Sequence, residues 1–207
     1  MGQRSQIYVR INRPDGKYDL IARYFSWNLD TQMVSRARHT IQWIKENSDN
    51  ASYFLRKYDG YKVLSRIIDV NFDYHDIGIS TDIIKEVEDG YITTSEGIFH
   101  NDNNDGKLLI DVCIKYDSKH LFDYKVNVKY AFLDCNNELI GDGDEYIKWD
   151  SDEPNWRESD SFKKEINFTD RNIRYINKHA KLMTEEEVLE FITHDYISDM
   201  ELRKENK

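Results

Sequence analysis

The segment of this chain whose residue types and spacing best suit chemistry is Asn101-Asp102-Asn103-Asn104-Asp105-Gly106-Lys107-Leu108. In the frame of a calcium loop, Asn101, Asn103 and Asp105 take positions 1, 3 and 5, and Gly106 takes position 6. Alternate oxygens around a sharp glycine turn are what a hard cation needs. Position 1 is Asn instead of Asp, position 12 is Val112 instead of a bidentate Glu, and the flanks pattern as strands. A polar hairpin turn explains the same residues with no metal. A Ca²⁺ or Mg²⁺ site would need Asp111 or a carboxylate of residues 134–160 to complete it. No other cofactor is expected. Asp73-x-His75-Asp76 offers acid-base or metal-binding groups, but no histidine pair has ligand spacing on one helix face, and there is no GxSxG, P-loop or GxGxxG. Neither Cys113 nor Cys135 stands beside a histidine, and both are expected as buried free thiols in apolar surroundings. An enzymatic reading, a metal-dependent nuclease or other phosphoryl-transfer protein, would rest on Asp73, His75, Asp102 and Asp105.

Binding residues are easier to nominate than catalytic ones. Residues 134–160 hold 10 Asp/Glu against Lys148 and Arg157, with Tyr146, Ile147, Trp149 and Trp156 interleaved. A merely solvated loop has no need of two tryptophans, so Asp142, Asp144, Glu145, Trp149, Asp152 and Trp156 are candidate contacts for a partner. Arg36, His39 and Trp43 fall at i, i+3 and i+7 of a helical pattern, away from its apolar face, and form a second candidate strip. Solvation of a helix surface is the plain alternative.

Charge points to the kind of partner. Residues 1–66 carry 12 Lys/Arg against 6 Asp/Glu, whereas residues 67–207 carry 17 against 33, within a net charge of −10. An acidic surface repels a phosphate backbone and attracts a basic protein. Direct nucleic-acid binding would need Arg4, Arg10, Arg23, Arg36, Arg38, Arg56 and Arg66 on one face. The acidic remainder argues against it.

These groups must be positioned by a fold that 207 residues with 13% aromatics, 2 Pro and 9 Gly suggest is a single domain, 1–207. Ile7, Val9 and Ile11 alternate with Gln6, Tyr8 and Arg10, which predicts a half-buried strand. Asn12–Lys17, with Pro14 and Asp15-Gly16, reverses the chain, and Tyr18–Phe25 returns as the second strand of a hairpin. Asp30 or Thr31 caps a helix with Met33, Val34, Ala37, Ile41 and Ile44 on one face. A second helix is predicted over about 52–69, with Phe54, Tyr58, Tyr61, Leu64 and Ile68 inward. Tyr91–Phe99, Lys107–Lys115 and Lys125–Cys135 pattern as strands. Thr169 or Asp170 is expected to cap a short helix bearing Ile173 and Ile176. Thr184 and Glu187 form a capping-box pair opening a last helix with Val188, Phe191, Ile192 and Tyr196 inward. The fold class is therefore α+β: a mainly antiparallel sheet with an N-terminal hairpin, two helices after it and C-terminal helices. No run approaches the ~20 apolar residues of a membrane span, and MGQRSQIYVR lacks a signal-peptide core. Gly2 would suit myristoylation only with Ser/Thr at position 6, where Gln6 stands. A soluble protein of the cytoplasm is expected.

The opening MGQRSQIYVR, then Ala22-Arg23-Tyr24-Phe25-x-Trp27-Asn28 and Ser35-Arg36-Ala37-Arg38-His39, resembles a group of small proteins carried by phages and mobile elements of low-GC Gram-positive bacteria. The likeness extends to the Asn-Asp-Gly loop near 101–106, to Trp149-Asp150 and to Leu182–Glu187. It implies a phage or prophage setting inside a bacterial host and transfers no catalytic residue. Small acidic phage proteins include inhibitors of host-defence nucleases. The resemblance and the charge together suggest an interaction protein of that class, with an anti-CRISPR role as one instance and a basic host or defence-system protein as partner. A structural protein of the phage particle is a third reading.

Overall fold

The computed structural model describes residues 4–13, 15–26, 31–57, 60–74, 80–99, 106–116, 124–143 and 159–205. Its strands are β1 (Arg4–Asn12), β2 (Tyr18–Ser26), β3 (Ser80–Asp82), β4 (Lys107–Tyr116), β5 (Tyr124–Leu133) and β6 (Lys181–Leu182). Its helices are α1 (Thr31–Lys57), α2 (Gly60–Tyr74), α3 (Ile83–Glu88), α4 (Ser95–Phe99), α5 (Asp160–His179), α6 (Glu185–Thr193) and α7 (Tyr196–Glu205). The strands form one open sheet in the order β3-β2-β1-β4-β5-β6.

The N-terminal hairpin forms as its residues dictate. Gly16 adopts φ +81°, and Arg13 N–H donates to the Lys17 carbonyl at 2.7 Å. The α+β class also holds, and antiparallel pairs predominate, but the sheet is mixed. β1 pairs in parallel with β4, and β5 in parallel with β6. The half-buried reading of β1 is corrected as well. Ile7, Val9 and Ile11 enter a core with α1, α2 and α5, while Tyr8 enters a second core with α3, α4, α6 and α7. Helices thus cover both faces. The polar positions Gln6 and Arg10 of β1 are buried as well. The Tyr8 hydroxyl gives its proton to the Ile98 carbonyl at 2.7 Å. Gln6 Oε1 lies 2.9 Å from the same hydroxyl, and Gln6 Nε2 is buried without a hydrogen-bond partner among the described residues.

Other boundaries move for local reasons. Tyr91–Phe99 is not a strand: Thr94 Oγ1 accepts from Gly97 N–H at 3.0 Å, capping the single turn of α4, and Tyr91 is exposed while Ile98 and Phe99 are buried. α1 continues through the polar Glu46–Ser52 stretch to Lys57. Asn47 and Ser48 donate back to the Trp43 and Lys45 carbonyls, so their side chains do not break the helix. The helix expected to start at Thr169 starts ten residues earlier, capped by Ser159, and Thr169 is buried within it. The Thr184–Glu187 capping box forms, but the last helix is split at His194 into α6 and α7, with Tyr196 opening the second.

Candidate functional site

A charged row crosses the sheet on its second face. Strand register sets Arg10 of β1 opposite Asp111 of β4, and Asp111 opposite Lys129 of β5. Glu187 and Glu190, one helical turn apart on α6, reach down onto the row. Arg10 donates from Nε to Asp111 at 2.8 Å and makes a two-pronged bond to Glu190 at 3.0 and 2.8 Å. Glu187 pairs with Lys129. Asn12 holds Asp111 at 2.7 Å, and the guanidinium lies 4.5 Å from the Phe191 ring centre. Burial opposes the charge on Arg10, but the bonds from Glu190 and Asp111 outweigh it and raise its pKa. The same bond from Arg10 holds the Glu190 carboxyl below its ordinary value, and Lys129 does so for Glu187. This arrangement fastens α6 to the sheet and leaves its guanidinium enclosed, so it is a clamp, not a reaction centre.

The open concave surface lies at the far edge of β2. Tyr18, Asp19 and Leu20, with Ile84, Val87 and Glu88 of α3, Ile92 and Thr93 after it, and Ile197, Met200 and Glu201 of α7, enclose a cleft of about 360 Å³. Among the described residues no Lys or Arg lines it. Its α7 wall is tied down twice. The Tyr18 hydroxyl donates to Asp199 at 2.7 Å, with His194 Nε2 2.9 Å from the same oxygen. Ser95 bonds Asp195 at 2.9 Å and accepts from Ile197 N–H. Around the same edge, on the other face, Asp19, Leu20, Ser65, Arg66, Asp69, Asp82 and Ile84 border a second cleft of about 310 Å³. There Asp19 is held by Arg13 at 2.6 Å, and Asp69 by Arg23 at 2.6 Å.

The nominated residues divide. Arg36, His39 and Trp43 do share one strip of α1: half-buried Arg36 lies 4.3 Å over Phe25, exposed His39 stacks on Trp43, and half-buried Trp43 meets Phe72 edge-on at 6.1 Å. Asp142 accepts from Asn177 at 3.3 Å. The neighbouring Gly143 abuts Val34 and Ile173, on the α5 side of α1, away from that strip. Asp144, Glu145, Trp149, Asp152 and Trp156, and Asn101, Asn103 and Asp105, lie outside the described residues, as do His75 and Asp102. Gly106 has φ +93°. Among the described residues no group of His, Cys, Asp and Glu is placed to hold a metal. The expectation of buried thiols is corrected: the cysteines are free, but Cys113 is half-buried at the helix-covered margin and Cys135 is exposed in the turn after β5.

Two arginines of the basic N-terminal third are withdrawn from the surface. Arg10 and Arg23 are 7% and 6% exposed, on opposite faces of the sheet, each committed to carboxylates. Part of the charge division is thus consumed inside the fold. Sequence reasoning missed the β2-edge cleft, whose walls come from three distant segments, and read Arg10 as one of several surface cations instead of the enclosed partner of Asp111 and Glu190. No family model, curated protein or solved structure matches the chain. Among the described residues no helix is long and apolar enough to cross a membrane.

Proposed function

We propose that this chain acts by binding a basic protein, as an acidic interaction protein of a phage or mobile element that inhibits a nucleic-acid-handling enzyme of host defence. The observation that carries the reading is the cleft between β2, α3 and α7, which has an apolar floor, Glu88 and Glu201 at its exposed rim, and no cation among the described residues that line it. Such a site suits Lys or Arg side chains, whose stems cover apolar surface while their heads meet carboxylates. The enclosure of Arg10 and Arg23 removes two cations that a phosphate-binding face would need and supports a protein partner over nucleic acid. Nucleases with strongly basic channels, CRISPR effectors among them, are the target class this chemistry favours.

The test is direct. Purified protein is titrated into cleavage assays with RNA-guided and restriction nucleases of Gram-positive hosts, alongside affinity capture from host lysate. Saturable inhibition or stoichiometric capture of a basic nuclease is expected, weakening as salt rises. Cleavage rates unchanged at saturating protein, with background proteins alone on the resin, would remove the proposal.

A further inference from the structure

The backbone of β2 is half-used. Gln6 N–H donates to the Gly106 carbonyl across the parallel β1–β4 pair, so even-numbered residues of β1 point their N–H and C=O groups at β4. Odd-numbered residues of β1 therefore bond β2, through the register partners Val9↔Ile21 and Ile11↔Asp19. It follows that Leu20 and Ala22 turn their N–H and C=O groups to the opposite side; Ala22 is fully enclosed and Leu20 is half-buried. β3 pairs with β2 only at Arg23, Tyr24 and Phe25, and the chain then leaves the sheet at Asp82 to begin α3. Among the described residues no strand pairs with Leu20 on the side away from β1. Both clefts open along this same stretch, and Asp19, Leu20 and Ile84 border each of them.

An unpaired edge is a template for another strand. A strand laid there would send alternate side chains to opposite faces, one set into the 360 Å³ cleft and the other into the 310 Å³ cleft. We propose that the open β2 edge receives an extended segment of the partner by strand addition, with Lys or Arg at alternate positions entering the α3–α7 cleft and small residues between them facing Ser65 and Asp82. The cationic choice follows from charge: Glu88 and Glu201 stand exposed at a cleft bordered, among the described residues, by no Lys or Arg, above Leu20, Val87, Ile92 and Met200. This specifies the mode of the binding proposed above and rests on that reading.

The probe is a short fluorescein-labelled peptide in which Lys or Arg alternates with Thr, titrated into the full chain by fluorescence anisotropy. Saturable binding is expected. N-methylation of one set of alternate amides should weaken it about tenfold or more, while methylation of the other set leaves it within about twofold, because one set alone faces the edge. Replacing Lys and Arg by Glu should abolish binding. Leu20→Pro removes the outward N–H and should weaken binding about tenfold; because proline could disturb folding, Glu88→Lys/Glu201→Lys at exposed positions provides a second variant with the same expected loss. Equal sensitivity of both methylated sets, or full binding by the charge-reversed protein, would overturn the inference. So would a concentration-dependent dimer of this chain that Leu20→Pro dissolves, since the edge would then be occupied by a second copy. Nuclease inhibition unaffected by Leu20→Pro and by the charge reversal would sink the edge and leave the binding function standing. Peptide binding with no inhibited nuclease would do the reverse.

Discussion

At the scale of single residues, Arg10 is the side chain on which most depends. It is enclosed and spends its hydrogen bonds on Asp111 and Glu190. Removing one partner of a buried pair leaves the other charge uncompensated, at about 3–5 kcal/mol. Arg10→Met should lower stability by that order in urea denaturation, and adding Asp111→Leu should recover part of the loss. A loss below about 1 kcal/mol for Arg10→Met would show that solvent replaces the pair. The clamp also sets an acid response. Arg10 depresses the Glu190 carboxyl in the folded state, so its stabilising contribution is present above the unfolded pKa of ~4.3 and is lost as pH falls through the folded value. Glu190→Gln should therefore flatten the acid limb of the stability curve below about pH 4 and leave its alkaline limb unchanged. Gly106 is a second sensitive point. A Cβ there would lie 2.2 Å from the Leu133 carbonyl oxygen, and φ is +93°. Gly106→Ala should cost about 1–3 kcal/mol, read as a fall in melting temperature. An unchanged melting temperature would mean that the β4 entry and β5 exit part freely.

At the scale of elements, the helices on the second face are short and depend on their ends. α6 has nine residues, too few to be stable alone, and is opened by the Thr184–Glu187 capping box and held by its glutamates. Thr184→Ala should cost about 0.5–2 kcal/mol. Because the Glu187 carboxylate also bonds Lys129, the loss should exceed that of Ser159→Ala, a cap without the reciprocal bond. Equilibrium denaturation of the two variants makes the comparison, and an equal or smaller loss at Thr184 would show that Lys129 holds Glu187 unaided.

At the scale of the whole molecule, helices enclose both faces of the sheet, and two of the N-terminal arginines disappear into opposite interiors. The protein should therefore give no mobility shift with duplex DNA at physiological salt. A shift with a steep salt dependence, reporting several phosphate contacts, would reverse this. Among the described residues, clefts open beside an edge of the sheet, bounded by β2, α3 and α7. A site assembled in this way responds to whatever seats α7, since Tyr18 and His194 both meet Asp199 beneath the cleft wall.

Features governed by neighbours in the chain were legible in the residues themselves. Asp15-Gly16 makes the hairpin, the alternation of Val126, Val128, Tyr130 and Phe132 makes β5, and Thr184 with Glu187 caps α6, because each depends on contacts a few residues apart. The same local logic misled at Glu46–Ser52 and at Tyr91–Phe99, where a long helix continued through polar residues and one capped turn replaced a strand. Tertiary structure alone decided the parallel junction of β1 with β4, the pairing of Arg10 with Glu190 across 180 residues, and the burial of both sheet faces. A polar residue in an alternating strand reads as exposed until the partner that desolvates and satisfies it is known. The cleft at the β2 edge has the same origin: β3 is too short to cover the edge, and the walls come from segments whose meeting no local pattern encodes.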